Sequence, residues 1–158
     1  MFRVLKMRQA RKSAVAMIRP FVEQSRASQM LPDSLWFDAY FVGFLGMLIT
    51  LSASWNARSL GNDDLAAVQS GSWAAITGLR SDLIGDEICS LSAARDERFE
   101  AGCRNALSFF QAFQSEGGID LYPGAPDDRR QQAKAALWAQ YFDVYVSDYL
   151  NANEMIRV

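Results

Sequence analysis

The chain has 158 residues, half of them hydrophobic, enough to bury a sizeable core and to exclude global disorder. Sixteen basic and eighteen acidic residues give a formal net charge of −2, so no overall electrostatic bias marks a nucleic-acid binder. Histidine is absent, which removes Ser-His-Asp and Cys-His catalysis, histidine-ligated zinc, proximal-histidine haem and the Glu-x-x-His pattern of di-iron bundles.

The charge is unevenly spread. Residues 1–22 carry six basic residues and no acid, which leaves ten basic and eighteen acidic residues in 23–158. Residues 1–29 read as a basic amphipathic helix, with Val4, Met7, Ala14, Met17, Ile18 and Phe21 as its apolar stripe. Arg3, Lys6, Arg8, Arg11 and Lys12 surround that stripe and form the candidate interaction surface. Pro20 lacks a backbone donor and disfavours α geometry at Arg19, which predicts a kink or break. The apolar run Ala14–Ile18 is too short for a signal peptide; an organellar targeting peptide fits the composition better. The plain alternative is a solvated outer helix whose charges pair with acidic neighbours.

Leu31-Pro32-Asp33-Ser34 is a helix-start signal, with Asp33 or Ser34 as cap and Asp38 near the positive end of the dipole. The helix it opens, about 34–57, has no charge between Asp38 and Arg58. Ala39, Gly43, Gly46, Thr50, Ala53 and Ala57 share one narrow face, and bulky residues from Phe37 to Trp55 fill the opposite one. A helix charged on neither side must be covered all round, and the small face predicts a neighbour's backbone packed close against the glycines. Its uncharged run also approaches the length needed to cross a membrane. Ser52, Ser54 and Asn56 crowd its end, however, so a soluble core helix is the preferred reading.

After Leu60-Gly61-Asn62, Asp63-Asp64 reads as a capped start rather than a metal site, because no acid follows at the required spacing. Leu65, Val68, Ser72, Ile76 and Leu79 form the inward stripe, with Trp73 alongside and Gly78 as the stop. Ser81 to Ser92 looks like a short helix interrupted by Gly85. From Ala93 a longer helix follows, with Phe99, Cys103, Ala106, Phe110 and Phe113 facing in and Glu100–Arg104 as an i,i+4 pair. Cys89 and Cys103, about 21 Å apart if one helix carries both, read as reduced, partly buried small hydrophobes. Glu116-Gly117-Gly118 ends the helix and Ile119–Pro126 forms a loop that Tyr122 could anchor. Asp127-Asp128 starts the last helix, whose aromatic stripe is Trp138, Phe142, Tyr145 and Tyr149.

The expected fold is all-α: a single domain, 1–158, of five or six helices around the buried 34–57 helix. No catalytic, cofactor-binding or metal-ligating residue is assigned. The leading expectation for function is a non-enzymatic α-helical interaction module, such as a small cytoplasmic adaptor, regulator or chaperone-like protein. Its expected partner is a protein, anionic if the basic helix makes the contact; homo-oligomerisation stays open, and nucleic acid and membrane rank below. The rivals are an apolar-ligand binder or unusual carboxylate/Tyr enzyme using a cavity beside the glycine face, and a membrane-associated protein.

Overall fold

The computed structural model describes residues 2–57, 60–80, 82–115 and 127–155. These are all-α, without a strand among the described residues: α1 (Phe2–Ser28), a 3-10 turn (Asp33–Phe37), α2 (Ala39–Asn56), α3 (Asn62–Thr77), α4 (Ile84–Ala93) and α5 (Glu97–Gln114). A last rod begins as α6 (Asp127–Trp138), passes through a π-helical segment (Ala139–Asp143) and continues as α7 (Val144–Met155). The Glu116-Gly117-Gly118 stop, the Ile119–Pro126 loop with Tyr122, the Arg58 boundary and the Ser81 start lie outside the described residues.

The centre of the bundle is α2, which contacts α1, α3, α4 and α5, most extensively α5. Tyr40 to Gly46, Leu48, Ile49, Ser52 and Ala53 are buried. Coverage stops at the ends, where Phe37 is 57% and Trp55 63% exposed. The start differs from the Asp33/Ser34 expectation. Asp38 is the cap: its backbone is extended and its carboxylate accepts Tyr40 N–H at 3.0 Å. Residues 33–37 instead make the 3-10 turn, which puts the sequence neighbours Leu35 and Trp36 into the core together.

The small face of α2 meets three helices. A Cβ on Gly43 would collide with the backbone carbonyl of Phe99 in α5, and one on Gly102 of α5 would collide with the carbonyl of Tyr40 and, at 2.8 Å, the nitrogen of Phe44. Each glycine therefore admits the other helix's main chain. Gly46 faces only the tip of Ile88 in α4, 3.0 Å from a built Cβ. Thr50 donates to Gly46 C=O at 2.8 Å and accepts from Gln69 of α3 at 2.8 Å. Ala53 is fully buried and Ala39 partly so.

Two expectations about α1 are corrected. Of the kink or break expected at Pro20, the break does not occur: α1 runs on through it. Proline leaves the Ala16 carbonyl without its helical donor, but both residues face solvent, where water can take that carbonyl, while Ile18, Phe21 and Val22 are buried on the inner side. The buried stripe is Ala10, Ala14, Ile18, Phe21, Val22 and Ser25; Val4 is exposed.

In α3, Gly61 is the N-cap without a side-chain bond, so Asp63 and Asp64 act in the first turn and not as caps. Gly78 closes the helix in the left-handed conformation, φ 81°. Gly85 does not interrupt α4, since it lies in its first turn. The expected helix from Ala93 is broken: Arg95 is left-handed at φ 51°, and Asp96 caps α5 by accepting Phe99 N–H at 2.9 Å. Cys89 and Cys103 thus stand on different helices, and Cys89 is exposed, not partly buried. Cys103 is half-buried, directs its thiol at Gly43 C=O at 3.6 Å, and has its pKa pushed up chiefly by burial.

The last rod shows why its stripe was misjudged. Its buried residues are Trp138, Phe142 and Val146, spaced strictly by four, with Tyr145 and Tyr149 only partly buried. A regular α-helix would drift about 40° at each such step. The π segment, in which Val144 N–H bonds Ala139 C=O, is a wider turn that takes up the drift. Trp138 stacks on Phe21 (5.2 Å) and Phe142 (4.6 Å), and meets Phe44 and Phe109 edge-on at 5.6 Å each. Trp138 Nε1 donates to Ser25 Oγ at 2.9 Å, and Ser25 donates to Asp143 at 2.5 Å, pinning the rod to α1.

Gly43→Ala and Gly102→Ala should each destabilise the protein by ~1–3 kcal/mol, because the added methyl meets backbone and not a flexible side chain. Gly46→Ala should be near neutral, the yielding Ile88 tip being offset by a helix-propensity gain of ~1 kcal/mol. Urea melts of the three variants decide this, and equal stabilities would contradict the crossing geometry. A thiol reagent should label Cys89 in the folded protein well before Cys103, with both titrating as free thiols after unfolding. Equal labelling rates in the folded state would contradict the burial of Cys103.

Candidate interaction surface

The sequence-derived surface lies on the opening turns of α1, where the helix projects beyond its buried stripe. Burial begins in earnest at Ala10; before it, Phe2 is 83% exposed and Val4 and Leu5 are each 64% exposed. Together with Arg8 they line a shallow recess of about 440 Å³.

The five cations do not behave alike. Arg3 is engaged: its Nε donates to both carboxylate oxygens of Asp64 at 2.7 and 2.9 Å. Asp64 is largely buried, so this pair anchors the start of α1 to the start of α3. Arg11 lays its stem across Gly71 of α3, with Cδ, Nε and Nη1 each 3.2 Å from where a Cβ would stand. Lys6, Arg8, Arg11 and Lys12 are exposed, and none has an acid within ion-pair distance among the described residues. Arg19 is held by Glu23 of its own helix at 2.7 Å. The helix thus presents four unneutralised cations around three exposed apolar side chains.

Beside the glycine face, Phe99 backbone closes on Gly43 and Ile88 on Gly46, so no ligand fits at those two positions. The aromatic stripe of the last rod is core at Trp138 and Phe142. No group of three or more Cys, Asp or Glu side chains that could hold a metal occurs among the described residues. By length and composition α2 could cross a membrane, but 61% of that apolar window is buried inside the protein.

The sequence reading missed one polar constellation. Tyr40 donates to the Tyr141 carbonyl, inside the π segment, at 2.6 Å; Asn105 of α5 donates to Tyr40 Oη at 2.9 Å and to Tyr145 Oη at 3.3 Å. The Tyr40 and Tyr145 rings stack at 3.8 Å and 7°. Burial is the main cause that pushes the Tyr40 hydroxyl far above its ordinary value of 10.0. It stays a phenol at neutral pH, with its proton committed to a carbonyl, which suits a structural tie and not a general base. No sequence signal marks it, because Tyr40, Asn105 and Tyr141 come from three distant segments.

The raised pKa has a testable consequence. A group whose folded value exceeds its unfolded one contributes stability fully below the unfolded value and loses it as pH rises toward the folded value. Stability should therefore fall above the ordinary tyrosine value of 10.0, as the unfolded chain ionises Tyr40 and the folded chain does not. Tyr40→Phe should flatten that alkaline decline while lowering stability at neutral pH by ~1–3 kcal/mol, through the two lost hydrogen bonds, to the Tyr141 carbonyl and from Asn105. Denaturant melts across the alkaline range read both effects, and an unchanged slope would contradict the burial. Comparison with family models, curated proteins and solved structures finds no match for this chain.

Proposed function

We propose that the protein is a non-enzymatic α-helical interaction module that docks an anionic partner through the opening turns of α1. The single observation behind this reading is the set of four cations, Lys6, Arg8, Arg11 and Lys12, left without ion-pair acids among the described residues beside exposed Phe2, Val4 and Leu5. Isolated surface apolar residues need no explanation. Their clustering within a cationic segment does, because each exposed apolar group sits where a partner would desolvate it and strengthen the surrounding charges. The acidic balance of residues 23–158 opposes any general attraction to anions. Binding to one would therefore report the local surface.

Poly-glutamate is the simplest probe. The parent protein, though net negative, should bind it with an affinity that falls as salt rises. The Arg8→Glu/Arg11→Glu/Lys12→Glu variant should lose that binding while its melting temperature stays nearly unchanged, since exposed charges contribute only ~0–1 kcal/mol each. A large loss of stability in the variant would instead place these cations in internal neutralisation of the acidic body. Absence of salt-sensitive binding by the parent would remove the docking role.

A further inference from the structure

Resting on that reading of the α1 surface, we propose that its anionic partner is a membrane: a bilayer rich in acidic phospholipid, whose headgroups pair with Lys6, Arg8, Arg11 and Lys12 while Phe2, Val4 and Leu5 enter the headgroup–acyl boundary. Two features select lipid over an acidic protein groove. The first is the angular spread of the apolar residues. At about 100° per residue, Val4, Leu5 and Phe2 span roughly 160° of the helix circumference. A protein groove seats anchors along one stripe at i, i+3, i+4 and i+7, and these three do not form one. A fluid interface covers a broad arc without needing a preformed pocket.

The second feature is the placement of cations inside that arc. On the same wheel Arg8 and Lys12 fall between Val4 and Leu5. In a protein groove they would be buried with the apolar anchors and would each require an acid on the floor. At a bilayer surface their long stems lie along the apolar layer while the charged heads reach the phosphates, so the mixture is tolerated. Both residues are exposed and free to do so. Arg3, tied to Asp64, keeps the docking end of α1 fixed to the bundle. The acidic remainder of the chain is repelled by the same surface, which orients the contact toward α1.

Flotation with vesicles of phosphatidylcholine alone, and of phosphatidylcholine mixed with phosphatidylglycerol, tests the proposal on the full chain. The parent should float with the mixed vesicles and not with the neutral ones, less so as salt is raised. Arg8→Glu/Arg11→Glu/Lys12→Glu should weaken vesicle binding about a hundredfold, taking roughly a fivefold contribution per basic residue. Phe2→Ser/Leu5→Ser keeps every cation; it should weaken vesicle binding at least about tenfold while leaving poly-glutamate binding and the melting temperature unchanged. Vesicle binding equal to the parent's in this second variant would overturn lipid insertion. Poly-glutamate binding without vesicle binding would overturn the membrane proposal, leave the docking module standing and point to an acidic protein. Loss of both in the parent would overturn both readings.

Discussion

The bundle depends on one close crossing, where α2 and α5 meet main chain to main chain. Gly43 and Gly102 each give up a side chain so that the other helix's carbonyl can occupy the space. Dispersion falls off steeply with a gap of even part of an ångström, so this proximity brings a long run of flanking side chains into contact at once. It also sets the reach of polar groups. Asn105 arrives within 2.9 Å of Tyr40 Oη only because α5 lies against α2. The tyrosine tie to the π segment, and through it the position of the last rod, follow from two missing methyl groups.

A second level of organisation is aromatic. Phe21, Phe44, Phe109, Trp138 and Phe142 come from α1, α2, α5 and the last rod and touch one another around Trp138. Such pairs contribute beyond their area by ~0.5–1.5 kcal/mol each. The indole N–H is satisfied by Ser25, so the largest side chain in this cluster is buried without an unpaired donor. Elsewhere the accounting is less tidy: Ser72 Oγ and Trp73 Nε1 in α3 are buried without partners among the described residues. An unpaired buried polar atom costs roughly 1–3 kcal/mol, a cost that α3 carries against its apolar burial.

How much of this was legible in the sequence varies by the range of the cause. The central helix was readable because an uncharged run with small residues at three- and four-residue spacing has few other destinations. Its true cap was not, since Asp33 and Asp38 offer the same chemistry and tertiary burial of Leu35 and Trp36 decides between them. Gly102 was invisible as a crossing point, being a lone glycine in an ordinary amphipathic helix. Asp64 looked like a capping residue because its partner, Arg3, lies sixty-one positions away. The same pairing separates one cation of the basic helix from the other four, a division that composition alone cannot make. The 4-3-4 spacing of the last aromatic residues imitated a heptad and concealed the π turn.

That π turn makes the last rod a spliced object with two phases. Residues up to Trp138 and residues from Val144 onward each follow ordinary helical geometry, but the second half is rotated relative to the first. Forcing Ala139–Asp143 into regular α-helix with no residue removed would restore the uniform phase, leaving Val146 about 80° round the helix from Trp138. Val146 would swing out of the core and Tyr145 away from its stacking partner, while the Tyr40 hydroxyl would lose the carbonyl it faces. A change that improves local regularity would thus dismantle the interface, because here the irregular turn keeps both halves of the rod facing the same core.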